Sequence, residues 1–284
     1  MIPAAFDYTV PGSVADAITA LGSDSEEIKV LAGGQSLIPV LRLRLAAPTL
    51  LVDIGRIPEL HGITDEGDAL VIGAMTTHAE VADSDLVKEH AGLLAKATET
   101  VADPQVRHRG TLGGALVHAD PAGDLPAPIL ALDAELVIAG SEGERTVPAA
   151  NFFQDMFTTT VGEQEILTKV RIPKHTGWGS HYEKFTRVAQ QWSIVAVAVT
   201  VRLDGGSISA AKVALTNMGS TPMRATAVEQ ALIGQAATGD AVRQAAASAA
   251  EGTNPPTDTN GDAPYRRHLA AVLTGRAVLA AAGR

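Results

Sequence analysis

The chain of 284 residues contains no cysteine. That absence removes disulfides, thiolate-ligated iron–sulfur clusters and Cys-based zinc sites from consideration. Any redox centre here must then be a bound organic group, because none of the remaining side chains carries electrons by itself. Basic charge is also short: the net charge is -10 with a pI of about 5.2, which disfavours a phosphate-backbone partner that binds through clustered Lys and Arg. No apolar run approaches the roughly 20 residues needed to span a bilayer. The N-terminus lacks a cationic segment followed by an apolar one. With these two absences the cytoplasm is the expected location. HExxH and GxGxxG spacings are both missing, so neither a metal site nor a Rossmann-type nucleotide fingerprint is expected.

What remains is a globular composition, 46% hydrophobic and 19% charged, long enough for more than one core. Residues 28–56 read as a short apolar strand, a glycine turn, an apolar helix and a second strand, which is an α/β unit. Alternation resumes over 62–74, with Glu66-Gly67-Asp68 as a hairpin turn, and helical spacing from Thr77 to Thr100 begins at a Thr cap. Residues 101–140, dense in Gly and Pro, read as a long ordered loop, a length that points to binding. A strand at 166–173 precedes a boundary near 174–180. Beyond it lie an antiparallel meander and Ala-rich helices over 226–250 and 264–282, joined by a turn-rich connector at 254–264. The expected partition is residues 1–60, 61–175 and 176–284.

Two segments carry the chemistry. Ala32-Gly33-Gly34-Gln35-Ser36 lies between strand and helix, where backbone N–H groups can approach a diphosphate with no Cβ in the way and Ser36 adds a hydroxyl. Far downstream, Thr111-Leu112-Gly113-Gly114-Ala115 repeats the device. Either alone is an ordinary turn; together in one cysteine-free chain they read as a clamp. The lone histidines His78, His108 and His118, the loop arginines Arg107 and Arg109, and the Asp120–Asp124 pair read as packing, solvated or turn residues, and no catalytic residue is assigned.

These turns, with DPAGDLP (120–126) after the second and EKFTRVAQQW (183–192) further on, resemble the FAD-binding medium subunit of the carbon monoxide dehydrogenase and xanthine dehydrogenase group, the molybdenum hydroxylases. The resemblance covers essentially the whole chain. It implies an α+β fold of the vanillyl-alcohol-oxidase type, with two α/β subdomains holding FAD and a C-terminal α+β domain, an antiparallel sheet with helices, closing over it. Carried over by position, Ala32, Gly33, Gly34, Gln35, Ser36 and Leu37 wrap the diphosphate from one side, and Thr111, Gly113, Gly114 and Ala115 face it from the other. Asp124 contacts the adenosine-side ribose and phosphate, while Leu167 and Lys184 touch the cofactor beneath and beside its ring.

Two departures from relatives bear on the cofactor. Gln35 stands where several relatives carry His, so it cannot tether the flavin, and noncovalent FAD with an amide hydrogen bond from Gln35 is expected. Trp192 stands where Tyr is common near the ring, in a segment that shifts on assembly, giving it a stacking or gating role. The implied function is electron transfer. Electrons arrive from a small [2Fe-2S] subunit, fed by a large molybdopterin subunit, and leave to an acceptor such as quinone, NAD or oxygen. Competing readings are a self-contained FAD-dependent oxidoreductase and a non-enzymatic cofactor-binding module.

Overall fold

A computed structural model describes residues 2–24 and 26–284. The first unit runs β1 (Asp7–Thr9), α1 (Val14–Leu21), β2 (Ile28–Leu31), α2 (Leu37–Arg42) and β3 (Leu50–Asp53). Its three strands are parallel, in the order β1-β3-β2. Helix α1 starts at Ser13, whose hydroxyl accepts the Asp16 N–H at 3.1 Å, and it buries Ala17 and Leu21. The β2–turn–α2–β3 crossover leaves the glycine turn at the C-terminal ends of these parallel strands, where open α/β sheets place ligands.

The second unit contains β4 (Ile63–Asp65), β5 (Ala69–Gly73), α3 (His78–Asp83), α4 (Asp85–His90), α5 (Gly92–Glu99), α6 (Pro104–Arg107), α7 (Leu112–His118), α8 (Pro126–Ala131), β6 (Glu135–Gly140), β7 (Gly143–Pro148), α9 (Ala149–Phe152), the small pair β8 (Phe153–Asp155) and β9 (Thr158–Thr159), and β10 (Ile166–Pro173). Its five-stranded sheet, β4-β5-β10-β6-β7, is antiparallel. Thr77 caps α3, as expected, and the cap is a reciprocal box with Glu80. The helical stretch after it is broken twice, because Ser84 and Ala91 leave helical geometry to cap the next piece.

Residues 101–140 are not a loop. They hold three short helices and a strand, with Pro104 and Pro126 in the first turns of α6 and α8, where a missing N–H costs nothing. Glycine and proline density misled because it punctuates closely spaced helices as readily as it fills loops.

The third unit runs β11 (Gly179–Phe185), β12 (Val195–Asp204), β13 (Ser207–Thr216), β14 (Met223–Arg224), α10 (Thr226–Leu232), α11 (Gly239–Ala246) and α12 (Ala263–Ala281). The sheet is the expected antiparallel meander. The first Ala-rich segment forms two helices instead of one, parted at a left-handed Gly234. Strand β12 is buried on both faces. Val195, Val197, Val199 and Val201 pack into the core under α10–α12, whereas Ala196 and Ala198 join the core of the second unit. The small face lets α8, buried along its length, lie close against the sheet and joins the two units through one continuous core. This is the expected α+β arrangement.

Candidate functional site

The two glycine turns meet. A Cβ on Gly33 would stand 2.1 Å from the Arg109 carbonyl oxygen and 2.8 Å from Gly110 Cα, so this backbone-to-backbone approach requires glycine. Ala32 Cβ lies 3.3 Å from the position a Gly114 side chain would take. Gly34 adopts φ +76°, a left-handed conformation that turns the chain into α2.

The turns nevertheless differ in what they offer. In the second, Leu112 N–H donates to Thr76 O at 3.0 Å, Gly113 N–H to Ala74 O at 2.8 Å, Gly114 N–H to Thr111 Oγ1 at 3.1 Å and Ala115 N–H to Thr111 O at 3.1 Å. Those donors are engaged. Gly113 is there because a Cβ would come within 2.5 Å of Ala74. Among the described residues, no hydrogen bond from the backbone N–H groups of Gly33, Gly34, Gln35 or Ser36 is found. Donors therefore come from the first turn and a close-packed floor from the second, along with the hydrogen of the Thr111 hydroxyl, whose oxygen alone is in use. The Gln35 side chain turns back to donate to Gly33 O at 3.0 Å, which leaves its second N–H free. Ser36 precedes α2 without a side-chain capping bond, so its hydroxyl is available, and Leu37 begins the helix.

A cleft of about 380 Å3 opens beside this junction, lined by Ala32, Gly33, Arg109 and Thr111 together with Tyr8 and Asp53. A larger depression of about 440 Å3, between α5 and the end of α12, includes none of the glycine-turn residues. The cleft is the better match to an extended dinucleotide. It lies where parallel strands terminate and is lined by Gly33 at the contact between the two turns.

His78 supports the second turn from beneath. Its backbone N–H donates to Gly110 O at 2.9 Å, and its ring lies 2.8 Å from where a Gly110 Cβ would be. Burial, with a smaller contribution from the Arg107 charge, depresses its pKa to about 4, so the imidazole is neutral at pH 7.

Asp124 and Lys184 come together as an ion pair of 2.7 Å, nearly free of solvent. Lys184 also donates to Thr100 O at 3.0 Å, and Asp124 accepts from Tyr182 Oη at 2.9 Å and Ser193 Oγ at 3.1 Å. Burial pushes the Asp124 carboxyl up, opposed by Lys184 and by the hydroxyl donors, and Tyr182 is held well above the usual phenol range by the same burial. Ion-pair geometry this close favours the charged carboxylate. Tyr182, inside β11, and Ser193, just before β12, carry no sequence signal for this contact. Trp192, next to Ser193, is 56% exposed. Leu167 is buried in β10 just before a bulge at Thr168, which interrupts pairing with β6 and lets Thr168 O accept the Ala74 N–H at 2.9 Å.

The fold has close counterparts. Residues 4–175 match the sequence profile described as the FAD binding domain in molybdopterin dehydrogenase, and residues 180–281 that of the CO dehydrogenase flavoprotein C-terminal domain. The chain belongs to this FAD-binding family of the molybdopterin dehydrogenases. It is 42% identical to the carbon monoxide dehydrogenase medium chain of Hydrogenophaga pseudoflava, over 100% of this chain and 99% of that one. Against the nicotine 6-hydroxylase medium subunit of Paenarthrobacter nicotinovorans it is 34% identical, covering 99% and 98%. The solved carbon monoxide dehydrogenase from H. pseudoflava that lacks the Mo-pyranopterin moiety superposes with a TM-score of 0.96 at 44% identity, over 99% and 98% of the two chains. This member of the family binds FAD and is a flavoprotein subunit of a molybdopterin-dependent oxidoreductase. No helix among the described residues is long and apolar enough to cross a membrane.

Proposed function

We propose that the chain holds noncovalent FAD with its diphosphate against the first glycine turn and passes electrons through it, without itself oxidising the organic substrate. The observation that carries this reading is the junction at Gly33, where two distant segments touch beside a cleft that Gly33 itself lines, and where the N–H groups of Gly33, Gly34, Gln35 and Ser36 are unengaged. Thr111 donates its hydroxyl hydrogen to the diphosphate from the other side, while Gly114 and Ala115 present no more than a methyl group to it and Gly113 seats the turn against Ala74. The flavin ring extends toward Leu167, Lys184 and Trp192. There the Lys184 ammonium favours an electron-rich ring, its effect reduced by the adjacent Asp124 carboxylate.

Bound FAD supplies the conversion between one-electron and two-electron transfer. The chain's residues hold the cofactor, exclude water from one face and leave the other accessible. Electrons come from a [2Fe-2S] subunit, since this chain has no cysteine to ligate a cluster, and a large molybdopterin subunit hydroxylates the substrate. Relatives aligned over nearly their full length are named for carbon monoxide, glyceraldehyde, nicotine, caffeine and xanthine, which supports placing substrate choice on another subunit. The terminal acceptor is external, a quinone, NAD or oxygen, and the complex works in the cytoplasm, reaching the inner membrane only through its partners.

The test is purification of the chain alone. It should carry flavin released intact by acid precipitation, as noncovalent binding requires, and should not oxidise aldehydes, purines or N-heterocycles. Rapid unassisted turnover of any of these would refute the subunit reading.

A further inference from the structure

The cleft beside the glycine junction has a second end that neither turn accounts for. Strand β3 stops at Asp53, the neighbour of β2 in the parallel sheet, about twenty residues past the glycine turn. In a parallel β–turn–α–β unit an acidic side chain at the end of the second strand lies beside a ligand whose phosphates rest on the turn, at the distance of a ribose. That geometry is what Rossmann-type sites use for the ribose hydroxyls, and here it arises without their glycine fingerprint.

The surroundings of Asp53 fit the same task. One carboxylate oxygen accepts the Gly55 N–H at 2.8 Å, and the other accepts the Tyr8 hydroxyl, which fixes the side chain in one orientation. Each oxygen keeps a lone pair for a ligand hydroxyl. Tyr8 is 54% exposed at the lip of the cleft, so its ring is open to an adenine face. Residues lining this cleft all lie between Tyr8 and Thr111, so none comes from the C-terminal unit that carries Lys184 and Trp192. With the ring toward that unit, the end of the cofactor nearest Asp53 is its adenosine.

We infer that Asp53, held by Tyr8, binds the ribose hydroxyls of the AMP half of FAD, and that this contact makes the chain select FAD over FMN. The inference rests on the proposed FAD site. Asp53 is a binding residue only, since it lies at the end of the cofactor away from the redox-active ring. Asp124, which the family resemblance assigns to this ribose, is instead enclosed by Tyr182, Lys184 and Ser193.

Calorimetric titration of the full chain, stripped of flavin, with FAD, ADP, 2′,3′-dideoxy-ADP and FMN tests this. ADP should bind roughly tenfold to a hundredfold more tightly than its dideoxy analogue, the expected effect of hydroxyl groups donating to a carboxylate. In Asp53→Asn, which keeps an acceptor for the Gly55 N–H, that preference should shrink and FAD should weaken by a similar factor. FMN binding should not change. Tyr8→Phe, which frees the carboxylate, should give a smaller loss in the same direction, and a thermal melt of each variant shows that it is folded. If wild-type chain binds FAD but takes dideoxy-ADP as well as ADP, the Asp53 assignment is overturned and the cofactor reading stands. If wild-type chain binds no FAD at all, both fall together.

Discussion

Replacing Gly33 by alanine is the smallest change that should separate the two glycine turns. The added methyl would stand 2.1 Å from Arg109 O, 2.8 Å from Gly110 Cα and 2.9 Å from Arg109 C, all backbone atoms that cannot rotate aside. Restoring ordinary contact at the Arg109 oxygen means parting the turns by about 1.4 Å, given a contact distance near 3.5 Å. Overpacking of this kind costs about 1–3 kcal/mol of stability. The same displacement moves the Gly33–Ser36 donors relative to Thr111. Hydrogen bonds to a charged group contribute about 1.5–3 kcal/mol each, so misaligning one or two costs about 3 kcal/mol, or ~100-fold in the dissociation constant. Gly12→Ala is the control, because nothing lies within 4 Å of its added methyl. Fluorescence titration of stripped chain with FAD, paired with thermal melts, reads both quantities. A Gly33→Ala chain that melts like wild type and binds FAD within twofold of it would refute the argument that close approach at Gly33 builds the site.

Lys184→Met should leave Asp124 buried and unpaired, lowering unfolding free energy by about 3–5 kcal/mol in denaturant titration. Adding Asp124→Leu should recover much of that loss, and failure to recover would mean that the pair is not the source. In the loaded protein, Lys184→Met should also lower the flavin potential, and an unchanged potential would remove the proposed electrostatic role. His78 has a folded pKa of about 4 against 6.5, so the unfolded chain binds its proton more readily. Its neutral, buried state therefore stabilises fully above pH 6.5, and this contribution is lost as pH falls from 6.5 through 4, an effect of about 3 kcal/mol. Denaturation at pH 7 and pH 4.5 should show a larger drop in wild type than in His78→Leu; equal drops would mean that His78 is not the acid-sensitive group.

Much of this was legible from the residues. Paired glycines after an apolar strand announced the first turn, and Val/Ala alternation announced β12, because both signals are local. What each glycine does was not legible. Gly113 reads like a phosphate-facing residue, yet it serves contact with Ala74, which is distant in sequence and adjacent only after β5 and α7 pack. The segment 77–100 carries unbroken helical spacing, and only the packing of α3, α4 and α5 shows the breaks at Ser84 and Ala91. In the 101–140 stretch the local cue is Asp103-Pro104, a capping carboxylate followed by a proline suited to the first turn, whereas Pro126 follows Leu125, which offers no side-chain cap. Asp124 and Lys184 were each assigned to the cofactor, while their mutual pairing depends on the C-terminal unit docking against α8, a contact with no sequence signature.

FAD should lie with its diphosphate where the two turns touch. A structure of the full chain crystallised with FAD tests it most directly. The expected map places diphosphate oxygens within hydrogen-bond reach of the Gly33–Ser36 N–H groups and the Thr111 hydroxyl. A map with the diphosphate remote from both turns would contradict the account.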